Sequence, residues 1–261
     1  FSTSETNVVT SKWTNVHENG YPKQKKYFFK EMFLGEEYYD KQGNRTNSVD
    51  IPNGMVKEYD MKGSLIKEYF IKANKYDGIY KIYDIQGNLW TEDNYIAGIK
   101  EGSSKFFRSD GSLIWESIFK NNELILTKDY SGNNVLKAAW SYKNGRLDGV
   151  AYTYYNDLKV KSETTYRSGK REGPIKKYDE KGQLKNELVY IDDKLSGVEK
   201  KYYSDGKIEE EIPYKNGIYN GVYKSFYKNG KIKSEQIWLE NRLLRHMMYY
   251  ENGILKWELE Y

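Results

Sequence analysis

Gly78-Ile79-Tyr80-Lys81-Ile82-Tyr83-Asp84-Ile85-Gln86-Gly87-Asn88-Leu89-Trp90-Thr91-Glu92-Asp93-Asn94-Tyr95-Ile96-Ala97-Gly98 decides the fold of this chain. Two short runs of apolar, aromatic and charged residues are separated by glycine-bearing turns, one ending at Gly87 and one at Gly98. Asn-Gly and Asp-Gly pairs supply the positive φ angles of tight hairpin turns, and such pairs recur at the equivalent places, as in Asp110-Gly111, Asp205-Gly206 and Asn216-Gly217. The segment therefore reads as one β-hairpin. A helical hairpin would need apolar stripes at a 3.6-residue period, and glycine this frequent would cost about 1 kcal/mol at each interior helix site.

Working outward, Gly54, Gly78, Gly102, Gly149, Gly173, Gly197 and Gly221 mark a repeat of about 24 residues that fills almost the whole chain. With each such glycine as position 0, position 5 is aromatic (Tyr59, Tyr83, Phe107, Tyr154, Tyr178, Tyr202), position 9 mostly glycine, and position 11 aliphatic. Position 14 is glutamate (Glu68, Glu92, Glu116, Glu163, Glu187, Glu211, Glu235). Position 17 is usually aromatic (Tyr95, Phe119, Tyr166, Tyr190, Tyr214, Trp238). Leu158 stands where position 9 calls for glycine. The units ending near Asn122 and Asn241 each lose one residue and the next starting glycine.

Degenerate copies precede the regular series. One starts near Ser11 with Gly20 and Phe28, and one near Leu34 with Tyr39, Gly43 and Ile51. The expected organisation is residues 1–10 as a flexible tail or capping strand, then residues 11–261 as one continuous array of about eleven repeats. The expected fold is all-β: an elongated single antiparallel sheet of tandem hairpins. Strict alternation of strand side chains places positions 11 and 17 on one face and the glutamates of position 14 on the other.

Apolar residues make up 38% of the chain and charged residues 31%, thin material for a thick core, whereas 27 tyrosines suit half-buried sheet surfaces. The 42 basic and 38 acidic residues leave a net charge of +4 and alternate along the chain, with no concentrated basic footprint for nucleic acid. The chain has no cysteine, which excludes disulfides, thiolate metal sites and a cysteine nucleophile. No run of residues approaches the length of a membrane span. The first residue is Phe1, and with zero cysteine this favours an exported protein slightly over a cytoplasmic one; both are compatible.

The five recurring positions resemble the variant form of the MORN repeat, with a Tyr-x-x-x-Gly-x-Leu-x-x-Glu-x-x-Tyr core seen most clearly in Tyr83 to Tyr95 and Tyr178 to Tyr190. The chain also resembles the bacterial YwqK-like antitoxin arrays of this repeat. The resemblance implies a hairpin-built sheet used for binding or scaffolding.

No catalytic, cofactor-binding or metal-binding set emerges. His17 and His246 lie near opposite ends, which disfavours a histidine-based triad or zinc site. The glutamate row could be a metal strip, but equivalent residues in successive hairpins would stand about 10 Å apart, too far to converge on one ion. Pairing with the lysines of position 3 (Lys57, Lys81, Lys105, Lys128, Lys176, Lys200, Lys224) is the structural alternative, with parity leaving open whether the two rows share a face. The candidate binding or structural residues are the aromatic rows: Tyr83, Tyr154, Tyr178 and Tyr202 at position 5, Tyr166, Tyr190 and Tyr214 at position 17.

The function expected is non-enzymatic protein–protein interaction, with no cofactor. The partner is another protein, in the most specific version a toxin neutralised by an antitoxin, an inference from the family resemblance alone. The alternative is a secreted or envelope protein that binds glycan or cell-wall components through an aromatic sheet face. Weak self-association through exposed terminal strands is also expected.

Overall fold

The computed structural model describes residues 8–29, 31–47 and 49–261. Strand accounts for 68% of the chain, and no α-helix occurs among the described residues, which decides between hairpin and helical repeats. The strands fall into two compact units, one ending at Asn134 and one spanning Val135–Tyr261.

In the first unit, strands Gly54–Tyr59, Leu65–Lys72, Lys75–Tyr83, Leu89–Ile96, Ile99–Phe107, Leu113–Lys120 and Glu123–Ser131 pair antiparallel in sequence order. The start of the unit departs from this rule. Strand Val8–Val16 pairs antiparallel with Pro22–Phe29 and parallel with Gly54–Tyr59, while Pro22–Phe29 also pairs with Met32–Tyr38. Among the described residues of this unit, the pairings are therefore antiparallel except at this one. The expected unit near Leu34 forms its first strand, but Ile51 joins no strand. The place beside Gly54–Tyr59 is filled by Val8–Lys12, whose Val9 is fully buried against the cluster of Tyr27, Val56, Tyr69 and Ile71. Pro52 could not donate to a ladder there. Val49 and Ile51 instead pack over that cluster as a partial second layer. Val8, Val9 and Thr10 are thus part of a paired strand, and residues 1–7 of the expected tail lie outside the described residues.

In the second unit, Val135–Lys143, Gly149–Tyr154, Val160–Arg167, Lys170–Tyr178, Leu184–Ile191 and Gly197–Tyr202 pair antiparallel in order. Ile208–Lys215, Gly221–Phe226, Ile232–Leu239, Arg242–Tyr249 and Leu255–Glu260 continue the series. Among the described residues, no helix is long and apolar enough to cross a membrane.

Two turn types alternate. In the first, the Asp84 N–H donates to the Asn88 carbonyl and the Gly87 N–H to the Asp84 carbonyl, at 2.9 and 3.0 Å. Asp84 Oδ1 accepts the N–H groups of Gln86 and Asn88, and Gly87 takes φ 84°. This is a type I turn closed by a left-handed residue and a bulge. Leu158 adopts the same conformation with φ 66° and gives the same hydrogen bond to Tyr155. The second turn has two left-handed residues, as in Ala97 and Gly98 (φ 51° and 86°) or Asp192 and Asp193 (φ 49° and 63°), the signature of type I′.

The bulge changes which residues share a face. Lys81 lies opposite Glu92 and Ile82 opposite Thr91, but Tyr83 lies opposite Leu89, so Trp90 is left without a partner. The same shift recurs at Tyr59, Phe107, Tyr154, Tyr178, Tyr202, Phe226 and Tyr249. Positions 3, 5, 11 and 14 therefore stand on one face, and position 17 on the other. The expectation that leucine and position 17 share a face opposite the glutamates is corrected by that one extra residue, which resets the alternation.

Candidate functional site

The face carrying positions 3 and 14 is a charge ladder. Within the first unit, Glu68 lies opposite Lys57 and Lys81, Glu92 opposite Lys81 and Lys105, and Glu116 opposite Lys105 and Lys128. The second unit repeats the pattern, with Lys176 between Glu163 and Glu187, and Lys200 between Glu187 and Glu211. The two rows share a face, which settles what sequence parity left open. Ion pairs close at 2.9 Å for Lys57–Glu68, 3.0 Å for Lys128–Glu116 and 3.4 Å for Lys105–Glu92. Each such pair contributes about 0.2–1 kcal/mol at a half-exposed cross-strand position.

The position 5 phenols complete the ladder. Tyr83 donates to Glu68 at 2.7 Å, Tyr178 to Glu163 at 3.2 Å, Tyr202 to Glu187 at 3.3 Å and Tyr249 to Glu235 at 2.9 Å. Each hydroxyl reaches the glutamate of the preceding repeat. Burial opposes ionisation of Glu68, but the hydrogen bonds from Tyr83 and Lys57 outweigh it and hold the carboxyl below its ordinary range. Burial and the carboxylate it donates to push the Tyr202 phenol up. Glutamate at position 14 is thus bound to lysine and tyrosine on the same face, a structural tie between repeats.

The opposite face carries the position 17 rings across from the repeat glycines. Tyr95 lies opposite Gly78, Tyr166 opposite Gly149, Tyr190 opposite Gly173 and Tyr214 opposite Gly197. The Arg171 guanidinium sits 4.3 Å from the Tyr190 ring centre, and Tyr214 packs on Tyr219 at 5.0 Å. The repeat glycines all take positive φ, from 81° at Gly102 to 152° at Gly54, and two of them are also tightly packed. A Cβ on Gly221 would meet Pro213 Cβ at 3.0 Å, and one on Gly149 would meet Ser141 Cβ at 3.3 Å, because position 16 of the preceding repeat fills that space from the ladder face.

The seven candidate tyrosines are therefore split. Tyr83, Tyr154, Tyr178 and Tyr202 stand on the ladder face, whereas Tyr166, Tyr190 and Tyr214 stand on the other, all of them half-buried. No single surface brings them together.

Three features escaped the sequence reading. Positions 1 and 16 face each other beside the ladder and form an apolar border: Val150 with Thr165, Pro174 with Val189, Val198 with Pro213, and Val222 with Ile237. Val198 is 42% exposed and Val222 44%. Their spacing from the glycine was the available signal. Tyr155, Tyr203 and Tyr227 donate to the main-chain carbonyls of Tyr178, Phe226 and Tyr249 in the next repeat, at 2.7–2.8 Å. The third is a buried polar cluster around Lys25, Glu37 and Glu58 at the start of the first unit. It has no repeat signature.

The MORN repeat variant model matches residues 171–192, 195–216 and 219–239, so the chain carries three consecutive MORN-variant repeats in the second unit. No curated protein is significantly similar to the chain. Among solved structures, it is similar to a mutant of Staphylococcus aureus TarM bound to fondaparinux, alpha-GlcNAc-glycerol and UDP. That match has 14% identity and a TM-score of 0.26, covering 46% of this chain and 19% of that one. A TcdB2-TccC3 structure matches at 11% identity and TM-score 0.23, over 92% of this chain and 16% of that one. The chain spans less than a fifth of either, and at these scores neither likeness bears on its fold or its activity.

Proposed function

We propose that this MORN-variant repeat chain is a binding protein without catalytic activity, and that the ladder face of its second unit engages another protein. MORN repeats are compatible with an interaction role. The observation that carries the proposal is the exposed border of Pro174, Val198 and Val222 beside the Lys/Glu ladder. A protein interface needs an apolar strip to dehydrate and a polar rim to fix register, and this face offers both side by side over successive repeats. In its most specific form the partner is a toxin and the chain its antitoxin, a reading that rests on the sequence resemblance to antitoxin arrays alone.

Site-specific photo-crosslinking tests the proposal. A photoreactive residue in place of Val198 or Val222 should capture a defined protein partner in the native organism. The same residue at Lys177, exposed on the opposite face, should not. Capture from Lys177 alone would move the binding surface to the opposite face.

A further inference from the structure

The polar cluster at the start of the first unit lines a cavity of about 540 Å³, within the usual size range of small-ligand pockets. Its floor is made of charges that are already matched. Lys25 Nζ lies 2.9 Å from Glu58 Oε2, and the Trp13 indole N–H donates to Glu58 Oε1 at 2.8 Å. Glu37 accepts from the hydroxyls of Tyr27 and Tyr39 at 2.8 and 2.7 Å, and from Arg45 Nη1 at 2.9 Å. Glu58 is 1% exposed, Glu37 2% and Lys25 6%. Burying so many charges stabilises a fold less well than apolar packing would, so their retention around a cavity points to a use other than stability.

The walls supply what the floor lacks. Tyr69, Tyr76 and Tyr80 form a packed group with ring centres 5.0–5.3 Å apart. Lys67 and Lys75 also line the cavity, and among the described residues neither has an ion-pair or hydrogen-bond partner. Lys67 lies across from Glu58, but both oxygens of that carboxylate are taken by Trp13 and Lys25. The Ser11 hydroxyl, between Tyr27 and Glu58 in the register, is buried without a partner. With Lys25 and Arg45 matched by Glu58 and Glu37, the cavity keeps two uncompensated positive charges beside flat aromatic faces.

We infer that this cavity binds a small anionic ring compound, a single sugar-sized ring bearing a carboxylate or a phosphate. The tyrosine faces would pack against the ring, and Lys67 and Lys75 would hold the anion. The site is independent of the protein-binding face proposed above, since it lies in the other unit.

The test is a titration of the whole chain with glucuronate, glucose phosphate and neutral glucose, followed by the NMR signal of the Trp13 indole N–H and assigned through Trp13→Phe. At least one of the two acids should shift that signal saturably, and glucose should bind at least about tenfold more weakly, as expected when charge-assisted contacts are lost. A response to glucuronate alone identifies a carboxylate ligand and to glucose phosphate alone a phosphorylated one. Lys67→Gln combined with Lys75→Gln should weaken binding by about tenfold or more at unchanged melting temperature. Lys75→Gln alone, on an exposed side chain, should weaken it measurably without risk to the fold. No shift with either acid, equal binding of glucose, or unchanged affinity in the lysine variants would overturn the inference.

Discussion

Alanine placed at two repeat glycines, Gly206 and Gly221, should have unequal effects, and the difference measures how the sheet is packed. Gly206 closes a type I turn with φ 83°, and a Cβ there would meet nothing within 4 Å. Its replacement costs only the left-handed conformation, about 1–2 kcal/mol, partly offset by about 0.4–1 kcal/mol from a less flexible unfolded chain. The net loss should be about 0.5–1 kcal/mol. Gly221 takes φ 123°, and its Cβ would lie 3.0 Å from Pro213 Cβ and 3.3 Å from Pro213 Cγ. The proline ring cannot rotate away, so overpacking adds about 1–3 kcal/mol and brings the total to about 1.5–4 kcal/mol. Urea unfolding followed by circular dichroism reads both changes. In a chain of this length they correspond to a melting-temperature drop of about 2–4 °C per kcal/mol. Equal losses at the two sites would refute the claim that Gly221 is needed to admit Pro213 of the preceding repeat.

Leu158→Gly should stabilise the second unit by about 0.5–1 kcal/mol, because Leu158 holds φ 66° while its side chain is 59% exposed; a loss in urea unfolding would contradict this. Glu58→Gln should destabilise the first unit by about 3–5 kcal/mol by stranding the Lys25 ammonium in a buried site, and an unchanged urea midpoint would show that water reaches that ammonium. Tyr178, Tyr202 and Tyr249 have phenols raised above the ordinary value of 10.0, first by burial and then by their glutamates. Unfolded tyrosine loses its proton near 10 while the folded phenol keeps it, so stability should be full below pH 10 and fall as pH rises through the folded values. Tyrosinate absorbance should then appear together with unfolding; free titration of these rings in an intact sheet would contradict it.

The hairpins, their turns and the positions of the aromatic and glutamate rows were legible because each is a local choice repeated many times. Which residues share a face was not. One bulge residue per hairpin, Trp90 in the unit from Gly78, breaks the strict alternation on which parity depends, and nothing in its side chain announces it. The pairing of Tyr83 with Glu68 spans two repeats and follows only once that bulge is known. The N-terminal strand exchange was hidden for a different reason. Val8–Lys12 beats the segment around Ile51 for the place beside Gly54–Tyr59 through the burial of Val9, a tertiary competition between segments far apart in sequence. The cavity between Trp13 and Tyr80 depends on that exchange, so its residues carried no common spacing.

The claim that the ladder face of the second unit is the protein-binding surface is tested most directly by the affinity of a crosslinked and purified partner for two variants. Val198→Glu combined with Val222→Glu places charge in the exposed apolar border and should weaken binding by about a hundredfold, the loss of two buried contacts of about 1.5 kcal/mol each. Lys177→Glu, exposed on the opposite face, should leave the affinity unchanged. Unchanged binding by the double variant, or a loss confined to Lys177→Glu, would contradict the account.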